Sequence, residues 1–540
     1  MRSWNEIVDV IVVGSGAAGV SAAIAAQHGG AEALVLERSD KYGGTSAVSG
    51  GVPWIPNNHH MHEVGVSDSR DAALTYLKAL STGGMDMDLA EVYVDEAPGV
   101  LRYIEENTEL VFRSLKTPDY HPEHPGGTIG RSVSPALFPA NELGEMRSQL
   151  RPAPCFPIPV TMADMDDGID LLDPAIVGER LSKGLVGTGM ALMAGLIKGA
   201  VDKGVQFRRN IRILRLVLED GTVVGVEGEG PDGPVAIGAR RAVILASGGF
   251  EWNPELVQEN LRGPLEGPLS PPFNEGDGLI MAGEVGARIA NSHEAWWMPM
   301  FKIPGDEYEG VQLNRLTVGE RASPHSIMVN RKGKRFVNEA HNYSDVGRTM
   351  QNFDPVAFDH PNLPAYIIVD SDFMERYPFA TRFPGDPIPA WLTSASTLQE
   401  LAAKIEVDAN GLEETVARFN IDAEAGRDTE FSRGESVYDR YYGDPTRDGT
   451  SKNLGPIARA PFYAARVYCG ALGTKGGPKI SAKAEVLNVR GGRIPGLYAA
   501  GNVSAGFTGM AYPGAGGTLG PGMVFGHIAG REAASSINRF

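Results

Sequence analysis

VDVIVVGSGAAGVSAAIAAQHGGAEALVLER, residues 8–38, has the order strand, glycine turn, helix and strand. In the turn, Gly14 allows the tight bend, Gly16 lets backbone N–H groups approach a pyrophosphate, and Gly19 lets the helix pack on the strand. Glu37 ends the second strand, where a carboxylate can accept hydrogen bonds from a ribose and disfavours a 2′-phosphate. The stretch therefore predicts a dinucleotide site, with contacts from Gly14, Ser15, Gly16, Ala17, Ala18, Gly19, Glu37 and Arg38.

Three further segments favour FAD over NAD. A glycine and hydroxyl cluster, YGGTSAVSGG, follows the second strand and can bind additional phosphate and ribitol oxygens. Two buried strands, RRAVIL and RIPGLY, each run into a small-residue turn, and a short helix is predicted to begin at Asp277. No second strand, glycine turn and helix unit exists for NAD, since GTGMALMAGL is better explained as a helix start. The predicted contacts are Gly43, Gly44, Thr45, Ser46, Ser49, Gly50, Gly51, Ala246, Ser247, Gly248, Asp277, Gly501 and Asn502.

Composition narrows the class of protein. The chain has 540 residues, which is long for one compact core. Its formal charge of −18 disfavours nucleic acid and anionic membranes as partners. Cys155 and Cys469 are isolated, so we expect neither a disulfide framework nor a dithiol centre, and a reducing cytoplasm fits. The apolar run 8–13 is too short to span a membrane, and no transmembrane segment is expected.

The pattern of predicted secondary structure changes in the middle of the chain. Apolar and polar residues alternate over residues 207–226, which predicts a hairpin with its turn at Asp220 and Gly221. Residues 296–454 combine long loops, aromatic clusters and helical stretches, which is typical of an inserted domain. We therefore predict an α/β fold: a Rossmann-like FAD-binding domain from residues 1–295 and 455–540, with an α+β substrate-capping domain over 296–454.

Together the segments resemble the succinate dehydrogenase and fumarate reductase flavoprotein superfamily, in which both chain ends build the FAD domain. Members that tether FAD covalently have a histidine two residues before the equivalent of Ser46, where this chain has Gly44. The resemblance thus implies non-covalent FAD, reoxidised by an external acceptor such as a quinone rather than by NAD. Dicarboxylate reductases of the superfamily carry GxHGxNRxGG near the C-terminus. The corresponding GFTGMAYPGAGG has Tyr512 in place of the carboxylate-binding arginine.

The C-terminal stretch AYPGAGGTLGPGMVFG instead resembles the 3-ketosteroid Δ1-dehydrogenases. The loop DYHPEHPGGTIGRS and the segment GERASPHSIMVNRKGKRFVNEAHNY support the same resemblance. It implies catalytic roles for Tyr120, Tyr343, Tyr512 and Gly516, and cofactor contacts from Gly517, Thr518 and Leu519. The implied reaction converts a cyclic ketone into its α,β-unsaturated enone, with a 3-ketosteroid as the leading substrate.

The roles are chemically reasonable. Tyr512 and the N–H of Gly516 can stabilise a developing enolate. Either Tyr343 or Tyr120 can be the base that removes the α-proton, provided that its neighbours depress a phenol pKa near 10. A smaller ketone such as cyclohexanone, and the reverse reduction of an enone or enoate, stay open as alternatives.

Other residues have simpler explanations. Trp296, Trp297, Met298, Met300 and Phe301 fit either a substrate pocket or core packing. The histidines His59, His60, His62, His121 and His124 are assigned to polar loops, and no metal is expected because flavin chemistry needs none.

Overall fold

The computed structural model describes residues 4–167 and 173–538. In chain order, its strands are β1 (Glu6–Val13), β2 (Ala33–Leu36), β3 (Phe112–Ser114), β4 (Val133–Pro135), β5 (Phe138–Pro139), β6 (Leu185–Val186), β7 (Gln206–Arg208), β8 (Arg212–Glu219), β9 (Thr222–Gly230), β10 (Gly233–Leu245), β11 (Gly267–Pro268), β12 (Ile289–Ala290), β13 (Ala295–Tyr308), β14 (Val311–Leu316), β15 (Ser326–Asn330), β16 (Ala365–Val369), β17 (Thr393–Ala395), β18 (Phe462–Thr474), β19 (Gly477–Pro478), β20 (Glu485–Leu487) and β21 (Arg493–Ala499).

The α-helices, in chain order, are α1 (Ala17–His28), α2 (Gly44–Val48), α3 (Arg70–Leu80), α4 (Met87–Asn107), α5 (Met162–Asp166), α6 (Pro174–Ser182), α7 (Thr188–Asp202), α8 (Pro254–Asn260), α9 (Asp277–Glu284), α10 (Gly319–Ala322), α11 (Tyr343–Met350), α12 (Ser371–Arg376), α13 (Leu398–Lys404), α14 (Ala409–Ala425), α15 (Val437–Tyr441) and α16 (Leu519–Ala534). Short 3-10 helices cover Met61–Val64, Ala140–Gln149, Gly449–Lys452 and Gly501–Val503.

The first sheet has eight strands and draws on both ends of the chain. Its centre is parallel, in the order β21, β10, β1, β2, β7, while β20, β9 and β8 are added antiparallel. The apolar side chains of β1 and β2 are buried on both faces, as a parallel sheet covered by helices requires. The predicted fold class, a Rossmann-like domain built from both chain ends, is confirmed.

Helices α1 and α16 pack closely enough to exclude side chains at the contact. A Cβ atom at Gly526 or Gly530 would collide with the backbone carbonyl groups of Ala18 and Ala22. The four-residue spacing of these glycines keeps one smooth face of α16 against α1. The C-terminal helix is thereby held against the helix that follows the glycine turn.

The second sheet has seven strands. Its main path is β14, β13, β18, β16, β15, with β11 and β17 paired to β18, and α13 and α14 cover one side. Strand β13 begins close to the predicted boundary at residue 296, but β18 comes from beyond residue 454. The second sheet therefore needs a strand that the predicted division gives to the FAD domain, and the three-part division stays a prediction.

Local predictions agree with the structure at one turn and two helix starts. The hairpin of β8 and β9 turns at Asp220 and Gly221, whose φ values of 48° and 76° are both left-handed. Helix α9 begins at Asp277, and α7 begins after Gly187. Across residues 4–167 and 173–538, no helix has the length and apolarity needed to cross a membrane.

Candidate active site

The predicted pyrophosphate turn connects β1 to α1. Gly14 has φ 110°, and a Cβ atom there would collide with the carbonyl group of Ala246 at the end of β10. The Ser15 hydroxyl donates to the buried Glu37 carboxylate at 2.6 Å and accepts from the N–H of Gly43 at 3.0 Å. The turn, the acid and the second glycine cluster thus form one hydrogen-bonded unit.

The second cluster lies directly over the N-terminus of α1. The Ser46 hydroxyl, on the short helix α2, accepts from the N–H of Ala17 at 3.0 Å. The Thr45 hydroxyl accepts from Asn274 Nδ2 at 3.0 Å, and the Ser49 hydroxyl accepts from the N–H of Gly51. A glycine turn and a hydroxyl cluster at a helix N-terminus suit phosphate oxygens.

Arg38 and Asp277 meet each other in an ion-pair cluster. Arg38 Nη1 lies 3.2 Å from Asp277 Oδ2, and its Nη2 lies 2.7 Å from Glu275 Oε2. Arg212 also pairs with Asp277, at 2.7 Å. Both predicted cofactor residues are therefore engaged with protein charges, and their contact with FAD stays a prediction.

The turn after β10 leaves a donor for a ligand. Ser247 Oγ is buried and makes no hydrogen bond within the described part of the chain. Gly278, at the start of α9, faces it so closely that a Cβ atom there would collide with Ser247 Oγ. Because an isolated buried hydroxyl is costly, this site fits a bound polar group such as part of FAD.

The C-terminal segment encloses a cavity beside this unit. Gly501, Asn502, Thr518, Trp296, Lys475 and Phe507 are among its lining residues. Gly501 approaches α1, since a Cβ atom there would lie 3.0 Å from Ala18 Cβ. Gly517 packs on the ring of Tyr512, and Leu519 begins α16. Three residues predicted to contact the cofactor, Gly501, Asn502 and Thr518, therefore line one cavity next to the start of α1.

We expect Gly14→Ala to weaken FAD binding about tenfold or more, because the left-handed φ and the contact with Ala246 strain the turn. Gly30→Ala is the matched control: it also has a left-handed φ, of 80°, but nothing lies within 4 Å of its Cβ position. Fluorescence titration of the apoproteins with FAD measures both affinities. Equal FAD affinities for the two variants would contradict a steric role for Gly14.

Three predicted tyrosines come together although they lie far apart in the sequence. The Tyr343 hydroxyl donates to the Tyr512 hydroxyl at 3.2 Å. The ring centroid of Tyr120 lies 4.9 Å from that of Tyr512 and 5.3 Å from that of Tyr343. The Tyr120 hydroxyl is buried and has no hydrogen-bond partner within the described chain. The hydrogen bond between Tyr343 and Tyr512 can carry a proton between these two phenols, and the Tyr120 ring packs against both.

The three phenols are strongly desolvated. Burial raises the pKa of Tyr343 and of Tyr120 well above the usual value, and it also raises the pKa of Tyr512. Tyr512 adds to the rise at Tyr343, whereas the nearby Tyr120 hydroxyl opposes it. The phenolate hypothesis requires neighbours that depress the Tyr343 pKa, but here burial outweighs the lowering effect of Tyr120.

Gly516 lies in the turn between Tyr512 and α16. Its φ is 93°, and a Cβ atom would collide with the Val52 carbonyl group. Its carbonyl oxygen accepts from the N–H of Trp54 at 3.1 Å, while its own N–H has no acceptor within the described chain. That N–H is available to a ligand oxygen, as the predicted enolate site needs.

Sequence reasoning missed two members of the tyrosine cluster and left a third open. Tyr438 and Tyr442, on and after α15, pack beside Tyr120, and the Tyr438 centroid lies 5.4 Å away. The Trp296 ring packs at a tilt against Tyr512, with the ring centroids 4.7 Å apart, whereas Trp297 and Phe301 lie in the core of the second sheet. The four-residue spacing of Tyr438 and Tyr442 is the pattern that could have indicated a shared helical face.

His121 has a definite partner on the helix that begins with Tyr343. Its Nε2 atom lies 2.9 Å from Asp345 Oδ2, in the first turn of α11, the helix that begins with Tyr343. His341 lies 3.4 Å from the same oxygen, and Glu123 lies 3.6 Å from His121 Nδ1. Since His121 follows Tyr120 in the chain, this ion pair connects the Tyr120 loop to the Tyr343 helix. His59 and His60 form a separate pair around Glu105, at 2.8 Å each.

The His121–Asp345 pair predicts a pH-dependent stability. Burial alone lowers the pKa of His121, but hydrogen bonds to Asp345 and Glu123 outweigh it and raise the pKa to about 9. A raised histidine pKa stabilises the fold fully below about pH 6.5 and loses its effect as the pH rises through about 9. His121→Gln should lower the Tm most near pH 6 and hardly at all near pH 10.

Thermal unfolding followed across this pH range measures the difference. His62→Gln is the control, because His62 is exposed and its Nδ1 contacts only the carbonyl group of His59. A Tm difference for His121→Gln that is constant with pH would refute the ion-pair explanation.

Comparison with known proteins identifies the family of this chain. The sequence pattern of the FAD binding domain family matches residues 9–519, so the protein is a flavoprotein and its cofactor is FAD. It is 41% identical, over 97% of its length and 92% of the relative's, to 4-oxocyclohexanecarboxylate 2-dehydrogenase of Sinomonas cyclohexanicum. It is 39% identical, over 98% and 97% respectively, to 3-oxosteroid 1-dehydrogenase of Mycolicibacterium smegmatis.

Among solved structures, the chain is similar to 3-ketosteroid Δ1-dehydrogenase from Sterolibacterium denitrificans in complex with 1,4-androstadiene-3,17-dione. The TM-score is 0.89 and the identity 37%, covering 98% of this chain and 99% of that one. The chain therefore belongs to the 3-ketosteroid Δ1-dehydrogenase family of FAD-dependent oxidoreductases, and the predicted resemblance is confirmed.

Proposed function

We propose that this enzyme desaturates the α,β bond of a cyclic ketone, with a 3-ketosteroid as the leading substrate. The observation that carries the proposal is the meeting of Tyr120, Tyr343 and Tyr512 beside the cavity that Gly501, Asn502 and Thr518 line, where the flavin would bind. Removal of an α-proton and a β-hydride needs a base, an oxyanion site and a hydride acceptor at one place. The cluster and the adjoining cavity offer all three.

The oxyanion site consists of Tyr512 and Gly516. The buried Tyr512 hydroxyl and the unengaged N–H of Gly516 both donate to the ketone oxygen. As the α-proton leaves, negative charge collects on that oxygen, and donors in a water-poor site stabilise it strongly. The high pKa of Tyr512 suits this role, because the phenol stays protonated and remains a donor.

The base is Tyr343, assisted by Tyr120. Its raised pKa makes the phenolate rare at neutral pH but strongly basic once formed. The free Tyr120 hydroxyl can donate to the Tyr343 oxygen and so favour the phenolate. Tyr343 then takes the α-proton while the oxyanion site holds the ketone oxygen in place.

The chemistry that bound FAD supplies is acceptance of the β-hydride at N5. The pyrophosphate would be held by residues 14–19 and 43–51, the adenosine ribose by Glu37, and the flavin by Gly501, Asn502 and residues 517–519. The absence of a histidine at Gly44 supports non-covalent attachment. An external carrier such as a quinone then receives the electrons, in the cytoplasm.

A smaller cyclic ketone is the second candidate substrate. It is favoured by the 41% identity to a dehydrogenase of 4-oxocyclohexanecarboxylate. The tyrosines contact only the carbonyl group and its neighbouring carbons, so both substrates would use the same machinery. The reverse reaction, reduction of an enone or enoate, is the third candidate.

A panel of saturated ketones tests the substrate class. We expect 3-ketosteroids to reduce the bound FAD at least tenfold faster, per molar, than cyclohexanone or 4-oxocyclohexanecarboxylate. Stopped-flow absorbance under anaerobic conditions measures each rate constant, and analysis of the organic product identifies the enone. Faster reduction by the monocyclic ketones would reverse the assignment of substrate size while preserving the reaction type.

A further inference from the structure

Lys475 is a buried cation that the proposed reaction has not used. It directly follows β18, its N–H donates to the Glu294 carbonyl group, and its side chain is 1% exposed. Its ammonium donates to the carbonyl oxygens of Gly509, at 3.0 Å, and Ala511, at 2.7 Å. The same ammonium lies 3.8 Å from the ring centroid of Trp296.

The charge of Lys475 has no direct anionic partner. No carboxylate in the described ranges lies within 4.0 Å of its Nζ atom. The nearby Glu294 carboxylate is bound by Arg348 at 2.7 and 3.1 Å. Burial lowers the pKa of Lys475 to about 7; Glu294 opposes this change, and Arg348 adds to it. A buried cation without an anion is costly, and such groups concentrate at functional sites.

The location of Lys475 indicates where an anionic partner would bind. It lines the same cavity as Asn502 and Thr518, and the indole N–H of Trp296 beneath it donates to Asn502 Oδ1 at 3.0 Å. The side chain of Lys475 therefore lies against the cavity in which the proposed function places the flavin, rather than at the protein surface.

We propose that Lys475 is the electrostatic residue that stabilises the anionic, two-electron-reduced form of FAD. The ketone loses its α-hydrogen as a proton, which goes to Tyr343, and its β-hydrogen as a hydride, which goes to flavin N5. The organic product is neutral, and neutral FAD that has gained a hydride carries one negative charge. The Lys475 ammonium offsets that charge in a site from which water is excluded.

The inference rests on the FAD site of the proposed function but not on the ketone, and it can be tested without any substrate. Sulfite adds to flavin N5 and places negative charge on the ring, so it serves as a stand-in for the hydride. In the FAD-loaded Lys475→Met enzyme, we expect the sulfite dissociation constant to rise at least tenfold. We expect the midpoint potential to fall by about 30 mV or more, which is a tenfold change for a two-electron couple.

Lys302→Met is the matched control. Lys302 Nζ also donates to a carbonyl group, that of Glu266 at 2.6 Å, and lies over an aromatic ring, that of Tyr468 at 4.7 Å, but it belongs to the second sheet outside the cavity. Its loss should leave sulfite binding and the potential unchanged. Unchanged values for FAD-loaded Lys475→Met would overturn the proposal and leave the ketone dehydrogenase assignment intact.

Two further variants separate charge from hydrogen bonding if the methionine enzyme does not retain FAD. Lys475→Arg keeps the charge, whereas Lys475→Gln keeps a donor for the carbonyl groups of Gly509 and Ala511. The charge explanation requires the arginine enzyme to resemble the parent in potential and sulfite affinity and the glutamine enzyme to differ. Parent-like values in the glutamine enzyme would overturn it.

Discussion

Tyr343→Phe is expected to slow reduction of the bound FAD by a saturated ketone about 10²- to 10⁴-fold, the range for loss of a general base. The substitution removes the oxygen that we propose as the acceptor of the α-proton. It also removes the 3.2 Å hydrogen bond from Tyr343 to Tyr512, and Tyr120 makes no such bond. The ring remains, so the packing against Tyr120 at 5.3 Å is preserved. Anaerobic stopped-flow absorbance measures the rate constant.

Proton abstraction can also be measured separately from hydride transfer. Enzyme whose FAD has been reduced beforehand cannot accept a hydride, so exchange of the ketone α-hydrogen in deuterium oxide reports the base alone. Tyr343→Phe should abolish this exchange, whereas Tyr366→Phe, on β16 in the second sheet, should not change it. Normal exchange in Tyr343→Phe would assign the base to Tyr120 or another group.

Tyr512→Phe should lower the same rate of flavin reduction about 10²- to 10³-fold while FAD remains bound. The phenol is the proposed side-chain donor of the oxyanion site, and its burial excludes water that could replace it. Its ring also packs on Trp296 at 4.7 Å, a contact that phenylalanine retains.

The affinity for a small phenolic ligand, whose oxygen would occupy the position of the ketone oxygen, distinguishes the role of Tyr512 from that of the base. Such a planar ligand resembles the enolate, and its affinity depends on the oxyanion donors rather than on proton abstraction. We expect Tyr512→Phe to weaken its binding, measured by the perturbed flavin spectrum, more than Tyr343→Phe does. The opposite order would exchange the two proposed roles.

The dinucleotide half of the site could be predicted from sequence because its contacts are local. Gly14, Ser15 and Glu37 belong to one strand, turn, helix and strand unit, in which a 2.6 Å hydrogen bond joins Ser15 to Glu37. Arg38 and Asp277 show the limit of this reasoning. Their ion pair, with Arg212 and Glu275, depends on tertiary neighbours that local patterning does not specify.

The tyrosine half was predictable only through family resemblance. Tyr120, Tyr343 and Tyr512 are separated by more than a hundred residues each, and no periodicity relates them. The proximity of Trp296 and Lys475 was harder still to predict, because it depends on tertiary pairing. The antiparallel pairing of β13 with β18 sets Ala295 opposite Thr474, and this brings Trp296 and Lys475 together. The same pairing explains why the predicted boundary at residue 454 falls before a strand of the second sheet.

The central claim is that a saturated cyclic ketone gives its hydride to the flavin of this enzyme. Anaerobic mixing of the oxidised, FAD-loaded protein with a saturated 3-ketosteroid, followed at the flavin absorption maximum, tests it most directly. We expect bleaching with formation of one equivalent of the Δ1-enone. No bleaching by any saturated ketone, together with reoxidation of the reduced enzyme by an enoate, would contradict it.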